Sequence, residues 1–306
     1  MSTGALHEVP LKFGVASTRS AEFIFPSCAP PLPLRLEHPR IAAEVGRYRL
    51  RTAQSEKDRE AACRLRFRVF NIELGEGLES SYETGLDRDQ FDGACEHLLV
   101  EDKESRKVVG TYRMQSGTTA ALHLGYYTEQ EFVLRPYEPL RQEILELGRA
   151  SIDREHRTPE VLTLLWRGIA QYAHAMGLRY LLGCSSLNSC DPADGWRIYR
   201  QLKSCRVQPE FETEPTAAFA CPKEQQNESA QPPFCREGRL APASKPVVSA
   251  PIQVPRLLRA YLAIGARIAA PPAWDRGFRT IDFLTLLDLK MLSPAARNRF
   301  MAPLHT

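Results

Sequence analysis

Apolar residues recur with two different periods in the first half of the chain, and each period predicts an element. Behind Ser55, a favourable N-cap followed by acidic residues, apolar positions repeat at helical spacing and predict a helix from about 56 to 70. Two short apolar runs at 97–100 and 108–114 flank a polar stretch, which predicts a β-hairpin. A short strand is expected near 47–50.

A single glutamate, Glu146, interrupts the apolar residues of the strand predicted at 144–153. Alternation along a strand places Glu146 and Gly148 on one face and Leu147 and Arg149 on the other. A glycine inside a strand marks a bulge or the close approach of a ligand. The pattern predicts a carboxylate on a central strand, acting either as a general base or as half of a buried Glu–Arg pair that braces the fold.

A helical crossover follows this strand. Thr158 is a good N-cap for an amphipathic helix that begins at Pro159 and ends at Gly177, and strand 178–184 comes next. The further elements expected before residue 222 are a short helix carrying Trp196, Tyr199 and Leu202 and strand material at about 206–212 and 216–221. This order of elements predicts an α/β sandwich with a central mixed sheet flanked by helices, rather than a doubly wound sheet.

Composition divides the chain into four predicted segments. These are a disordered N-terminal arm (1–45), the α/β core (46–222), a Pro-rich linker (223–250) and a C-terminal helix and strand segment packed on the core (251–306). The helix expected at 255–268 carries arginines on its polar face. It is predicted either to pack on the core or to lie on an anionic membrane surface.

Bulk properties exclude several classes of function. The net charge of +3 over 306 residues gives no reason to expect nucleic acid as a partner. Eight cysteines without a C-x-x-C pair argue against a zinc site or a disulfide framework and favour free thiols in the cytoplasm. We find no apolar run long enough to cross a membrane and no signal-peptide pattern. Dinucleotide, P-loop, zincin and serine-hydrolase motifs are also missing.

Four short motifs resemble those of one enzyme family. They are Arg66-Phe67-Arg68-Val69-Phe70, Asp89-Gln90-Phe91-Asp92, Gly110-Thr111-Tyr112-Arg113 and Glu146-Leu147-Gly148-Arg149. In this order they resemble GNAT acyltransferases that use acyl carrier protein: the bacterial ornithine N-acyltransferases of ornithine-lipid synthesis and, more distantly, the acyl-homoserine-lactone synthases. The resemblance covers about 47–303 and implies a GNAT-like fold.

Two differences from the motifs of related enzymes narrow the group of enzymes that the chain resembles. Homoserine-lactone synthases carry a Trp where this chain has Glu76, and they lack the long tail beyond 222, so the tail favours the ornithine acyltransferases. The stretch 154–160 also lacks the glycines with which acetyl-CoA enzymes cradle a pyrophosphate at a helix N-terminus. A carrier protein supplies a phosphopantetheine thioester without that pyrophosphate, so the loss is expected.

The resemblance implies transfer of a long, 3-hydroxylated fatty acyl chain from acyl carrier protein to the α-amine of L-ornithine, with no metal and no bound cofactor. The implied catalytic roles are Glu146 as general base with Arg149 beside it, and backbone amides near Gly148 for the oxyanion. The implied substrate-binding residues are Arg66, Phe70, Asp89, Asp92 and Arg113: the two aspartates hold the acceptor's amines, and the two arginines brace the acidic loop. Arg154 and Arg157 are implied to dock the carrier protein.

Three alternatives stay open at this point. The acceptor is ornithine or another amine, namely glycine, serine, glutamine or homoserine lactone. The chain is an enzyme or a non-catalytic lipid- or protein-binding module on the same fold. The thioester is attacked directly by the amine or first by Cys184, at the end of the neighbouring strand. Contact with the inner-membrane surface is a further expectation.

Overall fold

A mixed sheet of nine strands forms the centre of the computed structural model, which describes residues 38–222 and 253–302. Its strands are β1 (Ala42–Val45), β2 (Tyr48–Thr52), β3 (Glu96–Asp102), β4 (Lys107–Ser116), β5 (Ile144–Ile152), β6 (Tyr180–Leu187), β7 (Arg267–Ile268), β8 (Ala273–Asp275) and β9 (Thr280–Asp288). They lie in the order β1-β2-β3-β4-β5-β6-β9-β7, and β8 pairs with β9. Only the β5–β6 pair is parallel. The predicted mixed sheet is confirmed.

Seven α-helices accompany the sheet within the described residues. They are α1 (Glu56–Phe67), α2 (Ser81–Thr84), α3 (Gly117–Leu122), α4 (Pro159–Ala175), α5 (Pro192–Gln201), α6 (Arg256–Ala263) and α7 (Pro294–Phe300). Two predicted caps are confirmed, because Ser55 accepts a hydrogen bond from the amide of Asp58 and Thr158 accepts one from Val161. Gly177 follows α4 with a φ of +67°. None of the described helices is long and apolar enough to cross a bilayer.

The sequence misplaced some boundaries. The stretches 206–212 and 216–221 were expected as strands, but the structure has single 3₁₀ turns at Lys203–Cys205 and Pro209–Phe211 and isolated bridges instead. Pro209 and Pro215 interrupt the backbone donors that a ladder would need. Residues 42–45, expected in the disordered N-terminal arm, form β1. Residues 1–37 of that predicted arm and the predicted linker at 223–250 lie outside the described residues.

The C-terminal segment contributes strands to the sheet itself. All eight residues of β6 pair with β9, in a register that sets Tyr180 opposite Asp288 and Leu187 opposite Ile281. The predicted helix is shorter than expected, because α6 ends before Gly265, whose φ is +113°, and β7 follows. α6 packs on the core: Leu258 is fully buried, and the hydroxyl of Tyr261 bonds that of Tyr112.

The sheet splits between β5 and β6. Their parallel pairing covers only Ile144 to Glu146 against Tyr180 to Leu182, after which β6 stays with β9 and β5 stays with β4. Gly183 marks the point of separation. A Cβ on it would lie 2.2 Å from the carbonyl oxygen of Leu147, so only glycine lets the two strands approach there.

Gly183→Ala is therefore expected to destabilise the fold, while Gly148→Ala is not. The clash at 183 is with backbone, which must shift at a cost of roughly 1–3 kcal/mol or more. A Cβ on Gly148 would meet nothing within 4 Å, so its free energy of unfolding should change by less than about 1 kcal/mol. Urea denaturation of both variants checks this. Equal losses at the two positions would contradict the packing argument.

Candidate active site

A cavity of about 830 Å³ opens where β5 and β6 separate. It is bounded by the end of β5, by β6, by the start of α4 and by α6. Because side chains alternate across a sheet, its walls belong to two different faces. The cavity consequently has an apolar side and a polar side that meet at the split.

The apolar side is continuous with the main hydrophobic core. Leu162 and Trp166 of α4, Leu181 of β6, Tyr261 of α6 and Leu287 of β9 line it. Ser185 of β6 lies on this face as well, and its hydroxyl is buried without a hydrogen-bond partner among the described residues. This side can accept an aliphatic chain that carries a polar substituent near its reacting end.

Glu146 lies on the polar side, 5% exposed. Its carboxylate accepts hydrogen bonds from the amides of Tyr127 (3.0 Å) and Thr128 (2.7 Å) and from the Thr128 hydroxyl. Burial raises the pKa of Glu146, while these hydrogen bonds oppose the rise. A carboxylate has about four acceptor positions, so one oxygen retains capacity for a substrate proton.

Arg149 does not pair with Glu146, so the buried Glu–Arg brace considered from the sequence is not formed. A register shift between β4 and β5 gives Arg149 a φ of +52°, an unusual conformation for a side chain of this size. Its guanidinium instead contacts Asp89 at 2.9 Å and lies over the rings of Tyr127 and Phe278. The bulge thus places a buried cation on the wall of the cavity.

The acidic loop is bound internally by arginines. Arg66, fully buried, donates to Asp87 (2.8 Å) and to both carboxylate oxygens of Asp92 (2.7 and 2.9 Å). Arg113 donates to Asp89 at 2.6 and 2.7 Å. These arginines hold the pKa of Asp92 well below its usual range. The bracing predicted for the two arginines matches this geometry.

The same contacts argue against the role predicted for Asp89 and Asp92. Their oxygens are already engaged by guanidinium and amide groups, and neither residue lines the cavity. That they hold the acceptor's amines stays a prediction, and these contacts do not favour it. Their position fits support of Arg113 and Arg149, which do line the cavity.

Three other predicted residues lie at the rim or on the outside. Phe70 is half-buried in a π-helical turn (Arg68–Glu73) and lines the cavity. Arg157 also lines it and forms a bidentate ion pair with Glu73, so its charge is partly neutralised. Arg154 is exposed.

The polar side contains a carboxyl cluster that sequence reasoning missed. Oxygens of Glu131, Asp275 and Asp282 lie within 4.8 Å of one another, and all three residues are buried. Glu76 lines the same cavity, and burial together with Asp282 raises its pKa to about 7. The members are scattered from position 76 to position 282. The only hint in the sequence was Glu76, which stands where homoserine-lactone synthases carry a Trp.

Cys184 lies between this cluster and the split. Its thiol donates to Glu131 at 3.6 Å, and burial raises its pKa well above the usual value. A thiol held protonated is a poor nucleophile. The geometry favours direct attack by an amine over a covalent route.

Residues 65–167 match a family model described as an acetyltransferase (GNAT) domain. This part of the chain is therefore similar to a GNAT acetyltransferase domain. The chain is 29% identical over 279 residues to an L-ornithine N(alpha)-acyltransferase of Brucella abortus (strain 2308), covering 85% of this chain and 94% of that protein. It is 28% identical over 264 residues to an L-ornithine N(alpha)-acyltransferase of Rhodobacter capsulatus, covering 84% and 96%.

Solved structures resemble this GNAT protein as well. The structure of FeeM, described as an N-acyl amino acid synthase from uncultured soil microbes, matches with a TM-score of 0.45 at 11% identity, over 81% of this chain and 95% of that one. The GNAT-like fold, the acyltransferase class and the resemblance to ornithine acyltransferases, all predicted from the four motifs, are confirmed.

Proposed function

We propose that this GNAT protein transfers a 3-hydroxylated fatty acyl chain from the phosphopantetheine thioester of acyl carrier protein to the α-amine of L-ornithine, giving a lyso-ornithine lipid. The observation that carries the proposal is the position of Glu146 at the split of the sheet, between an apolar and an acidic side of one cavity. A fatty acyl group suits the first side and a cationic amino acid the second. The names of the curated relatives agree with this pair of substrates.

The proposed reaction begins with the neutral α-amine attacking the thioester carbonyl. Glu146 takes the proton that the nitrogen loses, and the tetrahedral intermediate expels the phosphopantetheine thiolate. That thiolate takes the proton from Glu146, which restores the base. Beyond Glu146, β5 has no pairing to β6 among the described residues, so the backbone around Gly148 faces the cavity. Amides there are our candidates for stabilising the oxyanion, a contribution of roughly 3–4 kcal/mol per donor in other enzymes.

Ser185 is our candidate for recognising a 3-hydroxyl group. Its hydroxyl is buried, has no partner among the described residues and lies on the apolar side. A buried hydroxyl without a partner costs free energy, which a substrate hydroxyl would recover.

The acidic acyl carrier protein, which supplies the acyl group, would approach the mouth of the cavity near α4 and α6. Arg157, Arg256 and Arg299 line the cavity there, and Arg154 is exposed beside it. Positive side chains at a mouth steer an acidic partner. Leu74 and Leu257, both exposed at the same mouth, suit the surface of the inner membrane, where the amphipathic product would be released.

An assay with purified protein tests the function. We expect mass spectrometry to detect N-acyl ornithine when 3-hydroxyacyl carrier protein and ornithine are supplied together. Acylation of glycine, serine, glutamine or homoserine lactone instead would change the acceptor. Folded protein that acylates no amine would favour the non-catalytic binding module.

A further inference from the structure

One part of the cavity wall has no role in the reaction as proposed so far. Glu131, Asp275 and Asp282 bring three carboxyls together, and none of them lies within ion-pair distance of a Lys or Arg among the described residues. Elsewhere in the same region the buried carboxylates Asp87 and Asp92 are paired with arginine. Buried acids without a cation are costly, so their presence needs an explanation.

A second feature independently points to a ligand. Gln115, which faces Glu146 across the β4–β5 pair and lines the same cavity, is 2% exposed. Both its amide nitrogen and its amide oxygen lack a hydrogen-bond partner among the described residues. A buried amide with two unused groups is typical of a surface that a polar molecule completes.

We infer that Glu131, Asp275 and Asp282 bind the side-chain ammonium of the amino-acid acceptor, with Glu76 at the entrance, and so select a diamino acid. This inference rests on the proposed function and deepens it. It explains why the acceptor would be ornithine and not a neutral amino acid.

The distances agree with this placement. Glu131 contacts Cys184, which is two residues along β6 from Leu182, the partner of Glu146. Two residues of strand span roughly 7 Å. The two nitrogens of extended ornithine are separated by five bonds, or roughly 6 Å. One amine can therefore lie near Glu146 while the other reaches the cluster.

Charge favours an ammonium ion over a divalent metal. Burial and mutual repulsion raise the pKa of both Glu131 and Asp282, so ionising each further carboxyl of the cluster costs free energy. A divalent ion needs deprotonated ligands and therefore demands more ionised carboxyls than a monocation does.

The test compares ornithine with norvaline, which has the same carbon chain and no δ-amine. Asp282→Asn and Glu131→Gln preserve shape and remove charge, and Glu79→Gln, at an exposed carboxyl, is the matched control. We expect wild type to prefer ornithine by 100-fold or more in kcat/KM. Each cluster variant should lose about 10- to 100-fold with ornithine, mostly in KM, while norvaline changes less than about threefold.

Other outcomes would overturn the inference. Parallel losses for ornithine and norvaline in variants that melt like wild type would mean a structural role only. Wild-type enzyme that acylates both acceptors equally well would leave acyl transfer standing but remove the ammonium site. Activity abolished by EDTA and restored by a divalent cation would assign the cluster to a metal. Acylation of neither acceptor would remove the proposed function and this inference together.

Discussion

Glu146→Gln should lower kcat by about 10²- to 10⁴-fold, the usual contribution of a positioned general base. The amide keeps the size of the side chain but cannot take the amine's proton. Single-turnover measurements with excess ornithine would isolate the chemical step. The melting temperature should change little, because the amide oxygen can still accept one of the hydrogen bonds from Tyr127 and Thr128.

The pH profile distinguishes a base from a structural carboxylate. Burial raises the pKa of Glu146, so the rate should fall on acidification with an inflection above the ordinary glutamate range. Thr128→Val removes a hydroxyl donor that lowers this pKa, and should move the inflection upward. Near-normal activity in Glu146→Gln would show that the carboxylate only holds the Tyr127–Thr128 turn.

Arg66→Met should destabilise the protein by about 3–5 kcal/mol, because it removes the principal cation of two buried aspartates. Only the longer contacts of Arg113 with Asp92 (3.3 Å) and of Arg149 with Asp87 (3.5 Å) would remain among the described residues. Arg66 has no exposed surface, and solvent cannot replace its hydrogen bonds. Arg64→Met is the matched control, since Arg64 forms an exposed pair with Glu60 worth less than about 1 kcal/mol. Urea denaturation at neutral pH measures both changes.

The pH dependence of the free energy of unfolding provides a further check on the Arg66 prediction. The arginines depress the folded-state pKa of Asp92, so its stabilising effect is present above the unfolded pKa and is lost as pH falls through the folded one. Without Arg66, burial should oppose the ionisation of Asp92. The gap in stability between wild type and variant should therefore be widest near neutral pH and should narrow towards pH 4. A gap that does not change with pH would assign the loss to packing alone.

Local sequence patterns predicted the elements whose formation depends on residues close together in the chain. The caps at Ser55 and Thr158 and the period of α4 needed no tertiary information. The split of the sheet could not be predicted from the sequence, because it depends on where β5 stops pairing with β6. The sequence drew attention to Gly148, yet of these two glycines it is Gly183 that packs against backbone at the split.

The residues of the site also divide into those that local sequence predicts and those that depend on tertiary structure. Glu146 and Arg149 could be found because they lie on one strand, but the bulge that turns Arg149 towards Asp89 arises from pairing with β4. The acidic motif was found, but a sequence does not reveal that Arg66 already donates to both carboxylate oxygens of Asp92. The carboxyl cluster was missed because its members come from separate segments that meet only through β9.

The position of β9 also bears on how the protein is made. β9 pairs with β6 in the sheet, yet residues 188–279 separate the two strands in the sequence. During synthesis on the ribosome, the apolar edge of β6 stays unpaired until β9 emerges. An unpaired strand edge can form hydrogen bonds with other chains. Asp275 and Asp282 arrive on that same late segment. The nascent chain would therefore gain its last sheet partner and its acidic pocket together, and the period before that is when it would most need a chaperone.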